Sequence, residues 1–132
     1  MGLDMYLSAR KFIGSWREED SAPRDQILAA LDLSKNDIAE GGIYVDVPVA
    51  QWRKAQRVHN WFVGAVQNGY DNCADYFVSA DTLVELREWC LDEVDQADKD
   101  DLDQLQHTAD TIGKILDNPV FKDYDFMYTS SW

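Results

Sequence analysis

Residues 41–69 read GGIYVDVPVAQWRKAQRVHNWFVGAVQNG, and the spacing of their apolar positions changes part-way along. After Gly41-Gly42, Ile43, Val45 and Val47 alternate with Tyr44 and Asp46, the period-two pattern of a strand with one buried face. Pro48 marks its predicted end, because proline cannot donate to a sheet ladder. From Val49 the period lengthens: Trp52, Ala55, His59, Phe62, Val63 and Val66 recur at three- and four-residue steps, which predicts one helix face closing at Asn68-Gly69. A strand followed at once by an amphipathic helix places the chain in the α+β class.

Upstream, Leu3, Met5 and Leu7 alternate with Asp4, Tyr6 and Ser8, predicting a strand that reaches about Ile13. Pro23 in a first turn, followed by Ile27, Leu28 and Leu31, predicts a short helix ending before Ser34-Lys35-Asn36. Downstream, the turn at Gly69–Asn72 leads to a short apolar run, Tyr76-Phe77-Val78, read as a strand. Ser79 is a natural N-cap for a helix burying Leu83, Leu86, Cys90, Val94 and Ala97. A last helix turns Leu102, Leu105, Ala109, Ile112 and Leu116 inward and stops at Asn118-Pro119. The aromatic tail, with Phe121, Tyr124, Phe126, Tyr128 and Trp132, reads as a closing strand, since so much ring surface is costly to leave in water. The expected architecture is a single domain over residues 1–132, a small sheet of short strands packed against three to four amphipathic helices.

Composition limits the function. The net charge of −13 is lopsided: residues 1–66 carry 8 basic and 9 acidic side chains, residues 67–132 carry 4 and 16. Such a surface repels nucleic-acid phosphates and anionic membranes and favours a basic protein partner. No apolar run approaches the roughly 20 residues of a membrane span, and Met1-Gly2-Leu3-Asp4 has neither the basic nor the apolar region of a signal peptide, so a cytoplasmic location is expected. Cys73 and Cys90, without CxxC spacing, read as free thiols in a reducing compartment and, with His59 and His107, form a poor metal set. Hydrolase, P-loop, dinucleotide and zinc-protease signatures are missing, so no catalytic residue, metal or cofactor is assigned.

Three groups of residues remain as candidates. Asp92, Glu93, Asp95, Asp98, Asp100, Asp101 and Asp103 surround one base, Lys99, and lack the glycine and final glutamate of a calcium loop; they read as a solvated helix-to-helix turn able to meet a basic partner. Arg53, Lys54 and Arg57 form the concentrated basic patch, with Arg53 and Arg57 expected on one helix edge, either pairing with the acidic half or holding a small anion. His59 is read as a core residue holding a carbonyl or carboxylate, with a general base as the rival reading and Asp71 and Cys73 as conceivable companions.

Four ordered blocks carry a resemblance. Met1-Gly2-Leu3-Asp4-Met5-Tyr6-Leu7, the run from Trp52 to Val63, the run from Asp71 to Ser79, and Asp125-Phe126-Met127-Tyr128-Thr129-Ser130-Ser131-Trp132 together resemble a family of small proteins encoded by bacteriophages and prophages. The chain departs from that pattern at Ala50-Gln51 and at Gln56. The resemblance implies a phage accessory protein in the bacterial cytoplasm that binds and modulates or inhibits a host or anti-phage defence protein. Within these blocks Tyr6, Arg53, His59, Trp61, Tyr76 and Trp132 are residue types that grip a phosphorylated aromatic ligand, which makes a nucleotide-type binding or modifying protein the alternative. A structural or homo-oligomeric scaffold, using aromatics of the tail, is the third reading.

Overall fold

The alternation that opens the chain becomes β1 (Asp4–Gly14), and the second alternating run becomes β2 (Gly42–Arg53). With β3 (Tyr76–Val78) and β4 (Asp125–Ser131) they form a four-stranded antiparallel sheet of order β2-β1-β4-β3. Four α-helices complete the set: α1 (Ser21–Ala30), α2 (Gln56–Ala65), α3 (Ala80–Glu93) and α4 (Lys99–Asp117). The computed structural model describes residues 2–132. The α+β architecture is the one the sequence predicts. No helix among the described residues is long and apolar enough to cross a membrane.

The chain divides into two compact units, one holding the chain through Ala9 together with Val47–Trp132, the other Arg10–Asp46. In the larger unit Leu3, just before β1, and the odd β1 residues Met5, Leu7 and Ala9 point to a core shared with Val58 and Phe62 of α2, Leu83, Leu86 and Cys90 of α3, and Leu105, Ala109 and Ile112 of α4. The even residues Asp4, Tyr6 and Ser8 stay half-exposed on the opposite sheet face. Phe126 and Tyr128 of the tail are buried in this core because β4 is an inner strand, with Tyr76, Phe77 and Val78 registered against Tyr128, Met127 and Phe126. The helix starts follow capping chemistry: the Ser79 hydroxyl accepts from Thr82 N at 3.1 Å, and the Asp98 carboxylate from Asp101 N at 3.0 Å.

In the smaller unit, Ile13 and Leu28 are buried, whereas Leu31, just past the end of α1, is exposed. Arg10 pairs with Asp46 at 2.7 Å and lies over the Tyr44 ring, which also meets Phe12. Gly42 takes φ +124°, and a Cβ there would run into the Ile13 carbonyl, so only glycine suits this turn into β2.

Three expectations about residues 48–57 are corrected. Pro48 does not end β2, which runs on to Arg53, because an edge strand tolerates a residue without an N–H. The helix starts at Gln56 rather than near Val49, after Lys54 turns the chain through φ 57°. Arg53 is therefore a strand residue, paired with Asp4 at 3.2 Å, and does not share a helix edge with Arg57. Arg57 reaches the acidic half instead, pairing with Glu93 and with Asp101, the latter at 3.4 Å.

Candidate functional site

Helix α2 carries His59 inward, one turn after Ala55 and beside Phe62, and leaves its ring 1% exposed. Both ring nitrogens are engaged. Nδ1 lies 2.6 Å from the Tyr128 hydroxyl on β4, and Nε2 lies 2.8 Å from Asp71 Oδ1 in the loop after α2. A carboxylate only accepts, so Nε2 carries the hydrogen given to Asp71; in the neutral ring Nδ1 is then the acceptor for the Tyr128 hydroxyl. The Trp132 indole donates to the same Asp71 oxygen at 3.2 Å. Four groups far apart in sequence thus close into one chain, Tyr128 to His59 to Asp71, with Trp132 joining at the carboxylate.

The surroundings fix that chain in place. Tyr128 stacks on Phe62 with ring centroids 3.8 Å apart and planes 8° apart. Burial raises its phenol well above the usual range and the Asp71 carboxylate adds to the effect, so Tyr128 stays protonated and serves as the donor. The Asp71 loop is held at both ends: buried Gln67 donates to the Tyr70 carbonyl at 2.7 Å, and Asn72 accepts from the Tyr76 hydroxyl at 2.8 Å. Asn68 and Gly69 both adopt positive φ to make the turn. With its nitrogens satisfied and its ring covered, His59 orients α2 against β4 and the loop, as a core histidine holding a carboxylate does. Cys73 is exposed, and its carbonyl accepts from the Thr129 hydroxyl on β4 at 3.4 Å.

The six residues read as ligand-binding types are dispersed. His59 and Trp132 meet through Asp71, and Tyr76 lies opposite Tyr128 in the sheet register. Tyr6 lies on the other sheet face, Trp61 packs against Trp89 and Phe62, and Arg53 lines a cleft at the end of β2. No family profile, curated protein or solved structure matches the chain. The acidic run behaves differently. Asp92, Asp95, Asp98, Asp100 and Asp103 are all exposed around the turn from α3 to α4, while Glu93 and Asp101 are half-buried against Arg57. No group of three or more potential metal ligands occurs among the described residues.

What the sequence offered no sign of was Tyr128 as the partner of His59, 69 positions away, or Thr108 as the acceptor for the Trp52 indole at 2.8 Å. Each is a single contact between distant segments with no local spacing to betray it.

The buried thiol and phenol predict an alkaline limit to stability. Burial pushes Cys90 up to about 12 and raises Tyr128 as well, whereas the unfolded chain releases these protons near about 8.5 and about 10. A folded-state value raised above the unfolded one gives stability that is complete below the unfolded value and is lost as pH climbs. The unfolding free energy should therefore fall from about pH 9 upward, by at most ~1.4 kcal/mol per pH unit for each group. Urea melts across pH 7 to about 11 test this, and Cys90→Ala should remove the first part of the decline; a flat profile would contradict it.

Proposed function

We propose that this chain is a non-catalytic binding protein that docks on a basic surface of a partner protein through the carboxylates around the α3–α4 turn. The carrying observation is the exposure of Asp92, Asp95, Asp98, Asp100 and Asp103 on a rigid support. Asp98 caps α4, and Arg57 fastens Glu93 and Asp101 to α2, so the turn keeps its shape while five neighbouring carboxylates face water. Preorganised like charges of this kind speed encounter with an oppositely charged surface and set the orientation of docking. The same field disfavours phosphate backbones and anionic membranes.

The resemblance to phage-encoded proteins supplies the setting of this reading: the bacterial host cytoplasm, with a host or anti-phage defence protein as the partner and modulation or inhibition as the outcome. Engagement of both His59 nitrogens supports a binding role over general-base chemistry at that residue.

The test is capture of partners from bacterial lysate by the tagged chain and by a variant with Asp92, Asp95, Asp98, Asp100 and Asp103 all changed to Asn. Asn at position 98 keeps the helix cap, so the fold is retained. A partner held by the native chain should be lost as salt rises from about 50 to about 500 mM, and should not be retained by the variant. A partner that both chains hold equally at high salt would sink the acidic-surface reading.

A further inference from the structure

Helix α4 ends at Asp117, and Asn118 leads into a short 3-10 helix, Pro119–Asp123, before β4 begins. Two cavities open where that turn meets the helix. One, of about 240 Å³, has Val49, Ile115 and Phe121 as its apolar walls and Thr111, Lys114 and Asn118 as its polar ones. The other, of about 80 Å³, shares Ile115, Asn118 and Phe121 and adds Leu116 and Phe126, with Lys122 as its charged side chain. Both lie within the larger unit, on a floor that belongs to its core. They are remote from the acidic turn, since Lys114 stands about 24 Å along the α4 axis from the Asp98 cap.

The polar groups at the rim can all donate hydrogen bonds. Lys114 and Lys122 end in ammonium groups, and among the described residues neither is in an ion pair. The Asn118 side-chain oxygen accepts from Val120 N at 3.1 Å, so its amide offers the larger cavity an NH2 group. The Thr111 hydroxyl donates as readily as it accepts. No carboxylate lines either cavity. That choice of side chains runs against the composition around it: residues 67–132 hold four basic side chains and sixteen acidic ones, and two of the four border this depression. Charge therefore selects an anion here. The walls select further, because an inorganic anion would meet the donors and leave Val49, Ile115 and Phe121 uncovered, whereas a plain hydrocarbon would do the reverse.

We infer that the depression at the end of α4 binds a small apolar carboxylate of the medium-chain fatty-acid type. Its alkyl chain lies against Val49, Ile115 and Phe121, and its carboxylate is held by Lys114 and the Asn118 amide. Leu116 and Phe126 in the neighbouring cavity offer apolar surface to a longer chain. This is a second site, with the opposite charge preference from the acidic turn, and it does not depend on the reading of that turn.

The test titrates the full chain with acetate, hexanoate, octanoate and decanoate, each below micelle formation, and with octanol as the uncharged counterpart; amide NMR shifts report where each binds. Affinity should rise about two- to fourfold per added methylene until the cavities are filled. Octanoate should bind about fivefold more tightly than octanol, and the shifts should centre on Val49, Thr111, Ile115 and Phe121. Lys114→Gln, at an exposed helix position, should bring octanoate down to the level of octanol, and Lys114→Arg should keep the preference. If Lys114→Gln disturbs the fold, the chain-length series and the shifts of the native chain decide by themselves. Acetate or octanol binding as tightly as octanoate, octanoate binding that ignores Lys114→Gln, or shifts centred elsewhere would each overturn the site.

Discussion

Tyr128→Ala is expected to destabilise the chain by about 3–5 kcal/mol, the cost of removing a large buried aromatic side chain and a large fraction of the stability of a domain this size. The ring is 0% exposed, lies flat on Phe62 and belongs to an inner strand, so the surrounding core has no easy way to collapse into the space. The hydroxyl makes a separate contribution. Tyr128→Phe keeps the stack but leaves His59 Nδ1 as a buried acceptor without a donor, which costs about 1–3 kcal/mol. Urea unfolding of both variants at pH 7 gives the two numbers. A Tyr128→Phe chain as stable as the native one would show that the hydroxyl contributes nothing and that the tautomer assigned to His59 is wrong.

Much of the fold was legible because the larger unit obeys local patterns. The alternation through Leu3, Met5 and Leu7 is the buried face of β1, and the three- to four-residue steps of Leu83, Leu86 and Cys90 and of Leu105, Ala109 and Ile112 are the buried faces of α3 and α4. Residues 48–55 misled for a physical reason. Ala50 and Trp52 are inward residues of a strand, and Ala55 and Val58, the first inward residues beyond and at the start of α2, follow Trp52 at steps of three, so two elements imitate one helical face across a turn. A proline that would end a central strand was likewise uninformative at an edge, and edge position is a property of the whole sheet rather than of local sequence. At the candidate sites, the type of each residue was readable but its partner was not. The acidic run announced itself, while its division into five exposed carboxylates and two held by Arg57 depends on how α2 packs near the α3–α4 turn.

Trp52→Ala is the other substitution expected to cost about 3–5 kcal/mol, and its effect bears on the corrected extent of β2. Trp52 is 4% exposed, meets Phe62 edge-on at 5.9 Å and donates through Nε1 to Thr108, whose hydroxyl in turn donates to the Gln104 carbonyl at 2.7 Å. One side chain thus ties the edge strand to α2 and α4. Trp52→Phe retains most of the ring contact and loses the indole bond; because Thr108 keeps its own acceptor, the expected cost is only about 1–2 kcal/mol. The ordering of the two variants is the informative result. A strand residue that holds the edge against α4 should give a large loss for alanine and a small one for phenylalanine, together with faster amide exchange at Lys54, whose N–H donates to the Leu3 carbonyl, in the alanine variant as the edge loosens. If alanine costs less than about 1 kcal/mol, Trp52 does not anchor the edge strand against α2 and α4.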